Sequence, residues 1–85
     1  MNLIKQGTLA DAQPFAVSVG GNEVPMTVTL TSSAVGRSIE LSSDGVNYWT
    51  PPRDADTVPM LNVVVSAPIS HVRFTGSAND KWSVR

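Results

Sequence analysis

Apolar residues in this chain recur at every second position, and no window keeps them at helical spacing. The clearest run is "PMTVTLTS" (residues 25–32): Met26, Val28 and Leu30 share one face, and Thr27, Thr29 and Thr31 share the other. A period of two places one side of a strand in a core and the other outside it. The pattern repeats along the chain. "PFAVSV" (14–19) alternates Phe15, Val17 and Val19 with Ala16 and Ser18. "RSIELS" (37–42) turns Arg37, Ile39 and Leu41 inward and Ser38, Glu40 and Ser42 outward. "MLNVVVS" (60–66) has its stronger apolar face at Leu61, Val63 and Val65. "ISHVRFT" (69–75) points Val72 and Phe74 in and His71, Arg73 and Thr75 out, and "KWSVR" (81–85) reads as a short last strand.

The runs stop at Gly, Pro and Asx residues. Gly20-Gly21-Asn22 predicts a hairpin joining 14–19 to 25–32. Asp44-Gly45 predicts a type I′ turn, because that turn needs positive φ at both central residues. The return strand "VNYWT" (46–50) then places Val46 and Tyr48 inward with Ile39 and Leu41, and Asn47 and Trp49 on the other face. Pro51, Pro52 and the charged residues after them make 51–59 a loop. One helical turn fits residues 8–13 before Pro14 stops it. The fold expected is all-β: a small antiparallel β-sandwich or barrel of six or seven short strands.

Eighty-five residues allow one hydrophobic core and therefore one domain, residues 14–85. Residues 1–13 carry Leu3, Ile4 and Leu9 without a hairpin partner nearby and read as an N-terminal arm or edge segment. A chain of this size buries only about 60–65% of its unfolded surface, so partners are an expected source of stability. The absence of cysteine removes disulfides and thiolate metal sites, and a single His removes a multi-His site. Charged residues make up 15% of the chain at a net charge of −1, with no basic stripe, which argues against nucleic acid. No run approaches the length that spans a membrane, and "MNLIKQG" is not a signal peptide.

Each possible site has a plainer explanation beside it. "SSDGVNYW" resembles the aspartate box of propellers, but Asp44 and Gly45 are adjacent where the box separates them. Trp49 and Trp82 offer faces for a pyranose, with Asp44, Asn47 and Arg73 as polar neighbours; the stronger reading is that large aromatics in a small core fill space. Asp54 and Asp56 supply too few oxygens for Ca²⁺ by themselves and suit an ion pair with Arg53. His71 has no nucleophile elbow or orienting acid in the sequence around it. No catalytic residue, metal site or cofactor is expected.

Two segments, "SIELSSDGVNYWTP" (38–51) and "SAPISHVRFTGSANDKWSV" (66–84), resemble small virion proteins of tailed bacteriophages. The likeness covers about half the chain and is a β-hairpin idiom with no catalytic signature. It implies a non-enzymatic capsid decoration (cement) protein, made in the host cytoplasm and located in the virion. Its implied partner is the major capsid protein or another virion protein, with homo-oligomers, trimers among them. The alternatives are a carbohydrate-binding or host-adhesion module, or a small tail or head–tail component. The residues expected to meet a partner are Leu3, Ile4, Leu9, Trp49, His71, Arg73 and Trp82.

Overall fold

A computed structural model describes residues 4–53 and 55–85. They form nine strands: β1 (Lys5–Thr8), β2 (Phe15–Ser18), β3 (Met26–Thr31), β4 (Ser38–Ser42), β5 (Tyr48–Trp49), β6 (Ala55–Thr57), β7 (Met60–Val65), β8 (His71–Thr75) and β9 (Lys81–Val84). Two antiparallel sheets pack face to face as a small β-sandwich. One has the order β1-β9-β3-β7-β6 and the other β2-β8-β4-β5. Only β4–β5 and β6–β7 are hairpins; every other connection passes from one sheet to the other.

The alternation read from sequence builds the core. The five-stranded sheet contributes Met26, Val28, Leu30, Leu61, Val63, Val65 and Val84, all buried. Val17, Ile39, Leu41, Val72 and Phe74 face them from the four-stranded sheet, and Val19, Leu9 and Ile69 close the ends from connections. The long β3–β7 ladder pairs Val28 with Val63 and Leu30 with Leu61, so β-branched and γ-branched side chains stack along the middle of the sandwich.

Four expectations change. The hairpin at Gly20-Gly21-Asn22 does not form: β2 pairs with β8, and β3 pairs with β7 and β9. The connection from residue 19 to 25 is long enough to cross the roughly 10 Å between packed sheets, so each strand finds a longer ladder elsewhere. The β4–β5 hairpin does form, but around a five-residue loop, residues 43–47, and not a two-residue turn. Only Gly45 has positive φ there, at 81°. Leu41 consequently lies opposite Trp49 and Ser42 opposite Tyr48. A two-residue turn at 44–45 would set Leu41 opposite Tyr48, and this one-residue slip exchanges the faces of the whole strand. Tyr48 therefore faces outward and Trp49 shares the side of Leu41.

Two short strands were not legible as such. Residues 55–57, inside the stretch expected to be loop, add β6 to the free edge of β7. Residues 5–8 add β1 to β9. Leu9 follows directly and is 2% exposed, with its N–H donating to Asp80 O (2.7 Å) and its carbonyl accepting from Asn79 N (2.8 Å). This part of the N-terminal segment is thus an edge strand of the sandwich and not a detached arm.

Charged side chains close both open sides of the sandwich. Lys5 shares the inward row with Val84 and Val28, and its Nζ donates across to the carbonyl of Ser18 on β2. On the other side Arg37, whose side chain is 12% exposed, reaches the carboxylate of Asp56 on β6, which also accepts from Arg53 Nη1 at 2.6 Å. Inward-pointing charges on edge strands are a known protection against sheet-to-sheet association.

Candidate functional site

The outer face of the four-stranded sheet is occupied by its own contacts. Arg73 on β8 donates from Nε (3.2 Å) and Nη2 (2.9 Å) to the two carboxylate oxygens of Glu40, its neighbour on β4. Its guanidinium also lies 4.0 Å from the centroid of the Tyr48 ring, a cation–π contact. Hydrogen bonding to Glu40 raises the Arg73 pKa further, so the group stays charged. Both preferences of a guanidinium, a carboxylate fork and an aromatic face, are met inside the chain.

Beside it, the 43–47 loop folds back over β8. Asp44 organises the loop: Oδ1 accepts from Asn47 N (2.8 Å), Val46 N (2.8 Å) and Ser42 Oγ (3.0 Å), and Oδ2 accepts from Asn47 Nδ2 (2.9 Å). These donors, the Asn47 backbone first, hold the Asp44 carboxyl well below the usual carboxylate range. Gly45 rests on the imidazole of His71, where a Cβ would come within 2.9 Å of Cε1. His71 Nδ1 and Ser70 Oγ are 2.8 Å apart, and Ser70 Oγ donates to the carbonyl of Ser42 (3.2 Å). Ser42, Ser70 and His71 thus seat the loop. The "SSDGVN" motif is a turn whose carboxylate accepts four hydrogen bonds from residues 42, 46 and 47.

The indole of Trp82 is spent on packing. Phe74 stacks on it at 5.3 Å between ring centroids, Phe15 leans on it at 5.6 Å, and Gly7 abuts its Cζ2–Cε2–Nε1 side. A sugar would need one open ring face, and these contacts take the ring. Trp49 differs: it stands on the edge strand β5 and is 45% exposed.

The seven residues expected to meet a partner are therefore not one patch. Leu3 lies outside the described residues. Ile4 is 70% exposed beside the β1 edge, and Trp49 is at the opposite side of the sandwich. Leu9 is core, Trp82 is packed, Arg73 is held by Glu40 and Tyr48, and His71 sits under Gly45. Asp54, one half of the acidic pair weighed for Ca²⁺, also lies outside the described residues. Asp56 is bound by both arginines, and the hydrogen bond from Arg53 lowers its pKa. Among the described residues no cluster of three or more acidic or His side chains is placed to hold a metal.

The face that carries the Thr27, Thr29 and Thr31 row of the sequence is the outer face of the five-stranded sheet. Its rows are Gln6–Ser83–Thr29–Asn62 and Thr8–Lys81–Thr31–Met60–Thr57, with Thr27 opposite Val64. Lys81 is the one charge among these side chains. Thr29 Oγ1 donates to Asn62 Oδ1 (2.7 Å), and Thr31 Oγ1 approaches Met60 Sδ (3.7 Å), which ties β3 to β7 on this face. Met60 and Val64 are 44% and 45% exposed. A shallow groove of about 480 Å³ opens on the same side, lined by Gln6, Thr8, Thr31, Lys81, Ser83 and Arg85 with Gly7 and Trp82. The period-two pattern carries the signal for this face, in the alternate threonines of residues 27–31. Comparison with protein-family models, with curated proteins and with solved structures found no match.

Proposed function

We propose that this chain is a non-enzymatic structural protein of a bacteriophage particle, a capsid decoration protein that stabilises the head by binding across shell subunits. The observation that carries the reading is the outer face of the five-stranded sheet. It is broad, carries Lys81 and, at its C-terminal end, Arg85 as its charges, and combines Thr, Ser, Asn and Gln with half-exposed Met60 and Val64. Interface centres are depleted in charge and enriched in Met, and a face with few charges avoids the largest desolvation cost when covered, its hydroxyls and amides being able to pair with a partner's polar groups. The likeness of residues 38–51 and 66–84 to small virion proteins supports the same reading. The mechanism is mass action: a protein that binds assembled shell and not free subunits shifts the equilibrium toward the shell.

The test is co-sedimentation with heads of the encoding phage prepared without the protein. Binding that saturates at a fixed number of copies per head, raises the temperature of head disruption and is lost in Val64→Glu is expected. A protein that stays in the supernatant at all concentrations refutes the reading. The second reading, a carbohydrate-binding or adhesion module, is favoured by the half-exposed Trp49. It requires glycan-dependent quenching of Trp49 fluorescence that Trp49→Ala abolishes.

A further inference from the structure

The two lateral sides of the sandwich are protected unequally. On one side β5 has two residues and runs into Pro51 and Pro52, while β6 has three and runs into Pro59; Arg37, Arg53 and Asp56 lock the gap between them. Short strands, prolines and charges all discourage strand addition. On the other side stand β1 and β2, and neither strand contains a proline.

Hydrogen-bond direction can be followed along both edges. Leu9 N–H donates to Asp80 O, and Arg85 N–H donates to Thr27 O. Alternate residues of an antiparallel strand turn their N–H and C=O to the same side. Lys5 and Gly7 therefore face β9, and Gln6 and Thr8 turn theirs away from the sheet, with Ile4 continuing the alternation. On β2, Val19 N–H donates to Ser70 O, so Ala16 and Ser18 turn outward, but the Ser18 carbonyl is taken by Lys5 Nζ. Among the described residues β1 pairs only with β9. Among the described residues the edge on which every outward backbone group is open is β1, and Gln6, Thr8 and Ile4 along it are all exposed.

We infer that this edge pairs with the same strand of a second copy of the chain, antiparallel about a two-fold axis at Gln6. An edge of unpaired N–H and C=O groups specifies its occupant as another extended strand, and β1 fits itself. With Gln6 opposite Gln6, Ile4 comes to face Thr8, which covers the 70%-exposed isoleucine. Lys5 comes to face Gly7, which has no side chain to compete and no like charge to repel. The outward groups of residues 4, 6 and 8 all find partners in this register. It also keeps the core-facing sides of both sandwiches on the same side of one continuous sheet. An isologous contact of this kind closes as a dimer and does not propagate into a fibre. The edge is small, so the dimer is weak and concentration-dependent. The inference does not depend on the phage reading.

The chain has no cysteine, which makes a cross-linking test clean. Directly opposed, hydrogen-bonded residues of an antiparallel pair have Cα atoms about 5.5 Å apart, within disulfide range. Gln6→Cys is expected to oxidise to a covalent dimer much faster than Val35→Cys, whose side chain is fully exposed on a loop. Gln6→Lys sets like charges across the axis and is expected to weaken dimerisation about five-fold in sedimentation equilibrium. Gln6→Pro removes an N–H that β9 does not use and is expected to abolish the dimer; circular dichroism and the melting temperature report whether the fold is retained. Wild-type protein that stays monomeric at millimolar concentration, with Gln6→Cys no faster to cross-link than Val35→Cys, overturns the proposal. So does a dimer whose affinity is unchanged in Gln6→Lys.

Discussion

Leu9→Ala tests whether the N-terminal segment belongs to the sandwich. Leu9 lies just after β1, is 2% exposed, and would contact a Cβ at Gly76 through its Cδ1 at 3.1 Å. The substitution removes three buried carbons. At about 0.8 kcal/mol per methylene the transfer loss is roughly 2.4 kcal/mol. A cavity term adds to this, because the site is framed by the backbone hydrogen bonds of Leu9 to residues 79 and 80 and cannot collapse freely. A total of about 3 kcal/mol falls inside the usual range for buried Leu→Ala changes. For a domain of this length each kcal/mol moves the melting temperature by about 4–8 °C, so a drop of roughly 12–24 °C is expected. The assay is urea unfolding followed by tryptophan fluorescence, with a thermal melt by circular dichroism. Ile4→Ala, at an exposed position five residues earlier, is the control and is expected to change stability by less than about 0.5 kcal/mol. If Leu9→Ala proves no more harmful than Ile4→Ala, the segment is not part of the cooperative core, and the β1–β9 pairing loses its support.

Three further outcomes are expected. Gly45→Ala should cost roughly 1–2 kcal/mol from the positive φ alone, and it should alter the His71 imidazole resonances, because the new Cβ meets the ring; unchanged resonances would remove the loop from β8. Asp44 has a folded-state pKa below its unfolded value of 3.8, so its contribution is complete above that value and is lost as pH falls through the lowered folded pKa. The urea midpoint should therefore fall below about pH 4, and Asp44→Asn should flatten that fall; an identical acid profile in both proteins would rule out the loop network as its source. Acrylamide should quench the emission of Trp82→Phe, which retains Trp49, strongly and that of Trp49→Phe weakly, since Trp49 is 45% exposed and the Trp82 ring is packed on Phe74. Equal quenching would contradict the packing of Trp82 between Phe15 and Phe74.

The sequence alone determined that this chain is all-β, a sandwich or barrel, and which alternate residues of its longer strands are buried. Period-two alternation is local and strong in β3, β4, β7 and β8, where Leu30, Ile39, Val63 and Phe74 are buried as the pattern requires. What it could not determine was pairing. Gly20-Gly21 and Asp44-Gly45 look alike as turn signals, yet the first crosses between sheets and the second closes a hairpin one residue longer in register than a tight turn. Ladder partners are chosen by the sum of distant contacts, and a slip of one residue moved Trp49 to the side of Leu41 and Tyr48 to the outside beneath Arg73. Lys5 and Asp56 interrupt the apolar alternation of β1 and β6, because their charges serve to close the sandwich sides; that is why both strands were invisible in the sequence. The residues singled out for their chemistry, His71, Arg73 and Trp82, found partners within the fold. The outer face of the five-stranded sheet is made mostly of threonine, serine, asparagine and glutamine, with Lys81, Arg85 and two ordinary apolar side chains. A residue type states what contacts a side chain can make; only the tertiary arrangement decides whether those contacts are already taken.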